Sequence, residues 1–310
     1  MIILLARRIL QSLITLVISV LLVFTLFSII PGSFVNAMGG EKRNINAALK
    51  ERMQEELRLD EPIPQRFVAY IAGMAHGDLG TSFSMRRPVA DILSERFVAS
   101  LRLAVAAILF AVVVGVPLGF IAAAKQGTWI DASVMMVAIS GLSLPAFWFG
   151  LLAMFFFSLQ LGWLPTFGYG RGSLAHLVLP ALSLGVAPMA LIARTTRAAV
   201  LQTMSSDYIR TARMKGASAS RVVTRHMARN AFVLILTTIG LQFGSMLGGS
   251  VIVESLFSWP GVGALLTQSV AQRDIPLVQG CVLLIIVFFL VVNTLVDLAY
   301  MLIDPRIRYR

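Results

Sequence analysis

The sequence predicts an all-α protein that crosses a membrane six times, with both termini on the cytoplasmic side. Of its 310 residues, 57% are apolar and 13% are charged, and the mean hydropathy is +0.83. A water-soluble domain carries about 25% charged residues. Six apolar runs reach the length of about 20 residues that a helix needs to cross a bilayer. The composition therefore excludes a soluble enzyme, a disordered chain and a disulfide-linked scaffold.

The six apolar runs are continuous and do not alternate with a period of two, so they predict helices and not the strands of a barrel. The third run is longer than one straight span requires, and we expect its ends to lie in the interface or the helix to tilt. The first run exceeds the core of about 7–15 residues in a signal peptide, which predicts an uncleaved anchor. The runs cover residues 9–30, 103–124, 132–161, 174–193, 231–253 and 277–302.

The distribution of charge predicts the orientation. One side of the six-span topology collects fourteen basic residues against three acidic ones, whereas the rest of the chain is neutral overall. The basic residues are Arg7, Arg8, Lys125, eight within 194–229 and three within 306–310. Because lysine and arginine accumulate in cytoplasmic loops, this side is expected to face the cytoplasm. The net charge of +11 therefore indicates membrane orientation and not nucleic-acid binding.

The same topology divides the chain into four parts. Residues 1–30 form an anchor helix, residues 31–98 an external segment, residues 99–302 the main membrane domain and residues 303–310 a cytoplasmic tail. Within the external segment, the patterns at 49–59 and 67–74 predict short helices that lie on the outer surface.

No residue pattern predicts chemistry on a bound substrate. The chain has one cysteine, Cys281, and three histidines that are far apart in sequence, so neither a disulfide nor a zinc site is expected. It has no phosphate-binding loop of the form GxxxxGK[ST], so we expect no ATP hydrolysis by this chain. We predict no catalytic residue, no cofactor and no bound metal.

The cytoplasmic loop between the fourth and fifth spans holds the most informative pattern. Residues 205–217 predict a short amphipathic helix with Asp207 in its first turn and Gly216 at its end, where glycine is common. Such a helix, held by spans on both sides, can transmit force from a cytoplasmic partner to the membrane bundle. Basic cytoplasmic loops are general in membrane proteins, however, and the helix can equally lie on anionic lipid.

This loop resembles the signature loop of the inner-membrane permeases of ABC importers. Residues 207–216 read DYIRTARMKG, and Arg-Asn-Ala follows at 229–231. In the family's form E-A-A-x-x-x-G, Ala212 and Gly216 match, while Arg210 and Thr211 differ as they usually do in peptide permeases. The likeness is greatest to the peptide/nickel branch, which includes dipeptide, oligopeptide and glutathione permeases. Other similar stretches occur in order at 77–80, 86–90, 162–165, 253–261 and 304–308.

The resemblance implies a type I ABC importer permease fold and a division of labour among subunits. Two related permeases form the pore in a bacterial inner membrane, two ATPase subunits lie beneath it, and an external binding protein delivers the substrate. Residues 205–217 are then the coupling helix, which docks in a cleft of the ATPase. The docking residues implied are Asp207, Tyr208, Arg210, Thr211, Ala212, Arg213, Lys215 and Gly216.

Three further sets of residues have two interpretations each. Gly240, Gly244 and Gly248 form a stripe on the fifth span that suits either a pore or subunit interface or packing within the chain. Asn293 and Asp297 share one face of the sixth span, where a carboxylate is a candidate functional group. Because Asp297 lies near the cytoplasmic end of its span, a structural hydrogen bond or ion pair is preferred. Glu254 is either a group on the substrate path or, preferably, the solvated end of the fifth span.

The predicted function is that of a permease subunit of an importer for small peptides, including di- and oligopeptides and glutathione-like peptides. Nickel or another small solute is the alternative within the family. An ion-coupled secondary transporter that uses Asp297 is the alternative from a different class.

Overall fold

The computed structural model describes residues 2–29, 58, 61–204, 214 and 228–303. In these ranges the chain folds into α-helices, and no strand is present there beyond an isolated bridge between Thr81 and Pro88. The helices are α1 (Ile2–Ile29), α2 (Ile63–Ala75), α3 (Val89–Ala124), α4 (Trp129–Ser143), α5 (Ala146–Ala153), α6 (Leu174–Met204), α7 (Ala228–Leu256), α8 (Val262–Gln272) and α9 (Ile275–Ile303).

Among the described helices, α1, α3, α6, α7 and α9 are each long and apolar enough to cross a bilayer. The third predicted run forms two helices, α4 and α5, which meet at an angle of 105°. If this bent pair crosses the membrane as one span, the described helices provide six spans, and otherwise five. The expected tilt or interfacial ends of this run are thus replaced by a sharp break near its middle.

Proline causes the break between α4 and α5. Pro145 lacks a backbone N–H, and its ring disfavours a helical conformation at the residue before it. Leu144 accordingly adopts extended angles, φ −88° and ψ 128°, and Pro145 follows with ψ 137°. Beyond α5 the chain continues as a π-helix over Met154–Gln160.

The centre of the molecule is the crossing of α3 and α6, where glycine lets two backbones approach closely. A Cβ atom at Gly115 would lie 2.6 Å from the carbonyl oxygen of Met189, and one at Gly119 would overlap that of Ala193. The reverse contact is made by Gly185, whose added Cβ would lie 2.8 Å from the carbonyl of Ala107. The apolar core extends from this crossing to α5, α7 and α9.

Two helices are longer than their apolar runs. Helix α3 begins at Val89, although the predicted run starts at residue 103, and α6 continues to Met204, although its run ends at residue 193. The additional turns carry the polar side chains Arg96, Ser100 and Arg197. These turns therefore bring polar groups to both ends of the bundle.

The short helix predicted at 67–74 is confirmed as α2, which packs on α1. The rings of Phe67 and Tyr70 lie 5.3 Å and 5.7 Å from the ring of Phe24. Burial raises the pKa of Tyr70 above its ordinary value. The other predicted short helix, at 49–59, lies outside the described residues except for Arg58. The division of the chain at residues 98 and 99 stays a prediction.

Candidate functional site

The predicted coupling helix lies almost wholly outside the described residues. Of the segment 205–217, the structure describes only Met214, which is helical and 80% exposed. The docking residues named from the sequence are therefore not placed. The structure does describe both flanking helices, since α6 ends at Met204 and α7 begins at Ala228. The geometry at these ends decides how motion of the segment can reach the bundle.

Close to that end of α6, an ion pair joins α6 to the start of α4. The Nε and Nη2 atoms of Arg197 donate to the two carboxylate oxygens of Asp131 at 2.6 Å and 2.7 Å. The backbone N–H of Gly127 donates to the same carboxylate at 3.1 Å. From the sequence, Asp131 and Arg197 are only two of the charges on the basic side, because no local spacing reveals a partner 66 residues away.

The glycine stripe on α7 packs against α9 of the same chain. A Cβ atom at Gly240 would overlap the side chain of Val296, and one at Gly244 would lie 3.4 Å from the ring of Phe289. At Gly248 the nearest atom, in Ile285, is 3.9 Å away and the residue is exposed. The contacts of the first two glycines favour packing within the chain.

Glu254 is fully buried, so the expectation of a solvated helix end is wrong. Its Oε1 accepts hydrogen bonds from the hydroxyls of Ser100 and Ser250 at 2.6 Å and 2.9 Å. Its Oε2 accepts the backbone N–H groups of Gly263 and Ala264 at 2.7 Å and 3.0 Å. A carboxylate can remain buried here because both oxygens are satisfied and a helix N-terminus faces it.

The same cluster accepts hydrogen bonds from the first three backbone N–H groups of α8. Besides the two bonds to Glu254, the N–H of Val262 donates to the Ser100 hydroxyl at 2.8 Å. The indole N–H of Trp259 donates to the carbonyl of Ala99 at 2.9 Å. Helices α3, α7 and α8 are therefore joined by polar bonds at the end of α7 opposite to its start at Ala228.

A second buried carboxylate, which the sequence did not single out, holds the start of α9. Asp274 is fully buried, and its Oδ2 accepts the hydroxyls of Ser82 and Ser84 at 2.6 Å and 2.7 Å and the Ser84 N–H at 2.9 Å. These serines belong to the turn before α3. Asp274 directly precedes α9, a position where aspartate commonly caps a helix.

The two polar residues of α9 lie in different surroundings. A carboxylate oxygen of Asp297 lies 3.3 Å from the Arg8 guanidinium of α1, and 27% of the Asp297 side chain is exposed. This ion pair is the kind of structural contact that the sequence favoured. The side-chain oxygen of Asn293 is buried and has no hydrogen-bond partner among the described residues.

An open cleft of about 460 Å³ lies beside the Glu254 cluster. Arg96 is only partly exposed and has no hydrogen bond or ion pair within the described ranges. The hydroxyls of Ser255 and Thr267 lie 3.2 Å apart and also face this cleft. The cleft can therefore offer one guanidinium and several neutral polar groups to a ligand. Its lining comprises Arg96, Glu254, Ser255, Ser258, Trp259, Pro260, Ala264, Thr267 and Gln268.

One face of helix α7, made mostly of small residues, is exposed and runs from the cleft toward the middle of the helix. Ser245, Gly248, Gly249 and Ser255 are exposed along this face, together with the larger side chain of Ile252. A face of this kind leaves room beside the helix for a solute or for another helix.

The bundle of long apolar helices in the described residues defines the class as a polytopic membrane protein. Residues 115–309 match the family model described as binding-protein-dependent transport system inner membrane component. Residues 1–104 match the model for the N-terminal part of such membrane components. The chain belongs to this family of ABC importer permeases, whose members are transport subunits and not enzymes.

Relatives of known name are similar over almost the whole chain. The glutathione transport system permease proteins GsiC of Pectobacterium atrosepticum and of Escherichia coli strain K12 are each 42% identical over 98% of both chains. An inward-facing structure of the MetNI methionine ABC transporter has a TM-score of 0.60 and 16% identity, and covers 69% of this chain and 96% of that chain. At this identity the structural likeness shows the fold alone.

Proposed function

We propose that this chain is one of two permease subunits in an ATP-driven importer for small anionic peptides of the glutathione type. Its partners are a second, homologous permease, two ATPase subunits and an external binding protein. Family membership supports the dependence on a binding protein, and the relatives named for glutathione transport support the class of substrate. Both termini face the cytoplasm of a bacterial inner membrane, as the charge distribution indicates.

Within this assembly, residues 205–217 are the coupling helix. The resemblance of Ala212 and Gly216 to the family signature supports this role. The position of the segment also supports it, because 205–217 begins where α6 ends at Met204. Force on the segment then acts directly on a helix of the central crossing.

The observation that carries the substrate class is Arg96 in the cleft beside α8. A guanidinium attracts a carboxylate, often through two parallel hydrogen bonds, and repels a divalent cation. Glu254, the acidic group of the cleft lining, is fully buried and its oxygens accept bonds from the protein. The charge that the cleft presents to a ligand is therefore positive. This favours an anionic peptide over nickel as the transported solute.

Uptake by the complete complex in proteoliposomes tests the proposal directly. With its binding protein and ATP, the wild-type complex is expected to accumulate glutathione and not Ni²⁺. Arg96→Gln removes the guanidinium and is expected to lower glutathione uptake about tenfold, the effect of losing one charge-assisted hydrogen bond.

Arg96→Lys is the matched control, because it keeps the charge while losing the planar fork, and its uptake should lie between those of the wild type and Arg96→Gln. ATP-dependent uptake of Ni²⁺ in place of glutathione would overturn the peptide assignment. Equal uptake by wild type and Arg96→Gln would remove Arg96 from the substrate path.

The alternative of an ion-coupled secondary transporter has little support in the geometry. Its candidate carboxylate, Asp297, is paired with Arg8 near the end of α9. A proton-coupled mechanism requires transport by this chain alone and its loss in Asp297→Asn. Uptake that requires the ATPases excludes that mechanism.

A further inference from the structure

The pair of Asp131 and Arg197 has the geometry of a rigid connection. Two nearly parallel hydrogen bonds of 2.6 Å and 2.7 Å fix the guanidinium against the carboxylate in distance and in orientation. Only 7% of the Asp131 side chain and 27% of the Arg197 side chain are exposed. The third bond, from the Gly127 N–H, holds the carboxylate against the loop that precedes α4. Asp131 therefore cannot turn away from Arg197 without also losing this bond.

The pair lies where the coupling segment joins the bundle. Arg197 is seven residues before Met204, the last residue of α6, a distance of about 10 Å along a helix. On another side of the same turns, Ala199 and Val200 pack with Ala123 of α3 and Ile235 of α7. The end of α6 is thus held by apolar contacts to α3 and α7 and by the ion pair to α4.

The apolar contacts and the ion pair differ in what they can transmit. The hydrophobic contribution of apolar contacts is non-directional, whereas a bidentate pair loses both hydrogen bonds when either group turns. Helix α4 is the first arm of the bent pair, and Asp131 lies in its first turn. A displacement of the end of α6 therefore moves α4 with it as long as the pair is intact.

We infer that Asp131 and Arg197 are positioning residues that couple movement of segment 205–217 to the bent pair α4 and α5. This inference rests on the proposed function, because it requires an ATPase that moves the segment. The pair does not contact substrate or nucleotide in this role. Together with the packing of Gly141 against Val186 and Ala190, it makes α4 follow α6 when the ATPases close.

The test measures coupling separately from assembly in the complete complex. For each variant, the amount of purified complex, the rate of ATP hydrolysis stimulated by loaded binding protein, and the glutathione taken up per ATP are measured. Asp131→Asn is expected to leave assembly near the wild-type level and to lower uptake per ATP about tenfold, as loss of a coupling contact does. Arg197→Lys keeps the charge but loses the planar fork, so its uptake per ATP should lie between those of the wild type and Asp131→Asn.

The exposed pair of Arg87 and Glu95 supplies the matched control. It is also bidentate, with bonds of 2.6 Å and 3.2 Å, but lies at the opposite end of the bundle. Glu95→Gln should therefore leave uptake per ATP unchanged. Exchanging the charges in the double variant Asp131→Arg, Arg197→Asp should recover part of the coupling lost in Asp131→Asn.

The possible outcomes separate the inference from the function on which it rests. If Asp131→Asn assembles and keeps the wild-type uptake per ATP, the inference is wrong. If Asp131→Asn and Arg197→Lys reduce only the amount of complex, the pair has a structural role and the inference is also wrong. If the wild-type complex shows no ATP-dependent uptake, or Gly216→Trp leaves uptake intact, the proposed function or its coupling segment fails instead.

Discussion

At the scale of single residues, Glu254 shows how a charge becomes part of a membrane protein's framework. Its two oxygens accept four hydrogen bonds, two of them from the first turn of α8. In the sequence it follows an apolar run, and a charged residue in that position normally lies in water at the end of the membrane span. Its backbone partners Gly263 and Ala264 lie nine and ten positions further along the chain, and the residues between contain the turn that folds α8 back over it. The sequence could not predict this turn from periodicity.

Substitution at Glu254 should separate hydrogen bonding from charge. Glu254→Gln keeps an oxygen for the backbone N–H groups, while its amide faces hydroxyls that can rotate to accept, and it should cost about 1 kcal/mol. Glu254→Leu leaves the Gly263 and Ala264 N–H groups buried without partners and should cost more than about 3 kcal/mol. The measurement is thermal unfolding of the purified chain in mild detergent. A leucine variant as stable as the glutamine variant would contradict this account.

At the scale of secondary-structure elements, the helix lengths were less predictable than the helices themselves. The apolar runs mark the hydrocarbon thickness, whereas α3 and α6 extend further because their polar turns pack on other protein segments. The sequence also does not show which prolines interrupt a helix. Pro117, Pro180 and Pro188 lie inside continuous helices, and Pro145 separates α4 from α5. The difference depends on tertiary packing, which no local pattern reports.

The close crossing of α3 and α6 was visible in the sequence but was overlooked. Gly115 and Gly119 have the four-residue spacing of a helix-packing motif, as do the glycines of α7 that sequence analysis did select. Gly240 and Gly244 of α7 also contact α9 of the same chain, whereas Gly248 is exposed, and the tightest backbone approach is made by the α3 set. Spacing alone does not identify which helix the glycines face.

A pair of glycine substitutions should measure the importance of that crossing. Gly119→Ala places a methyl group against the Ala193 carbonyl and the Thr196 side chain, and overpacking of this kind should cost about 2 kcal/mol. Gly249→Ala has no atom within 4 Å of the added carbon, and should be neutral or stabilising by about 0.5 kcal/mol because alanine favours the helix. Thermal unfolding of both variants in the same detergent compares them. Equal losses of stability would show that the crossing tolerates separation.

At the scale of the whole molecule, the fold class was predictable because membrane insertion imposes a strong and simple pattern. Long apolar runs and a one-sided charge distribution depend only on the bilayer, so they can be read without knowledge of tertiary contacts. The polar clusters around Asp131, Glu254 and Asp274 join residues that are far apart in sequence. Their partners follow from the packing of the bundle, which is why only one of these three carboxylates was singled out beforehand.

The proposed orientation can be tested with single cysteines, because the native Cys281 is buried. Ser173 precedes α6 and Gln126 follows α3, and both are exposed. In spheroplasts, a membrane-impermeant maleimide should label Ser173→Cys directly and Gln126→Cys only after the membrane is disrupted. The parent chain, with Cys281 alone, should remain unlabelled and serves as the control. The reverse pattern would place both termini outside the cytoplasm.

The packing around Glu254 also constrains how this segment can change during evolution. A Cβ atom at Gly261 would overlap the Glu254 carboxylate, and one at Gly263 would lie 2.5 Å from the Cα of Val251. Enlarging Gly261 is therefore harmful while the glutamate remains, and enlarging Gly263 is harmful whatever residue occupies position 254, because the backbone of Val251 blocks it. Shortening Glu254 first leaves the backbone N–H groups of Gly263 and Ala264 without their hydrogen-bond partner. Glu254 and Gly261 should therefore change together or not at all, whereas Gly263 should remain glycine in either case.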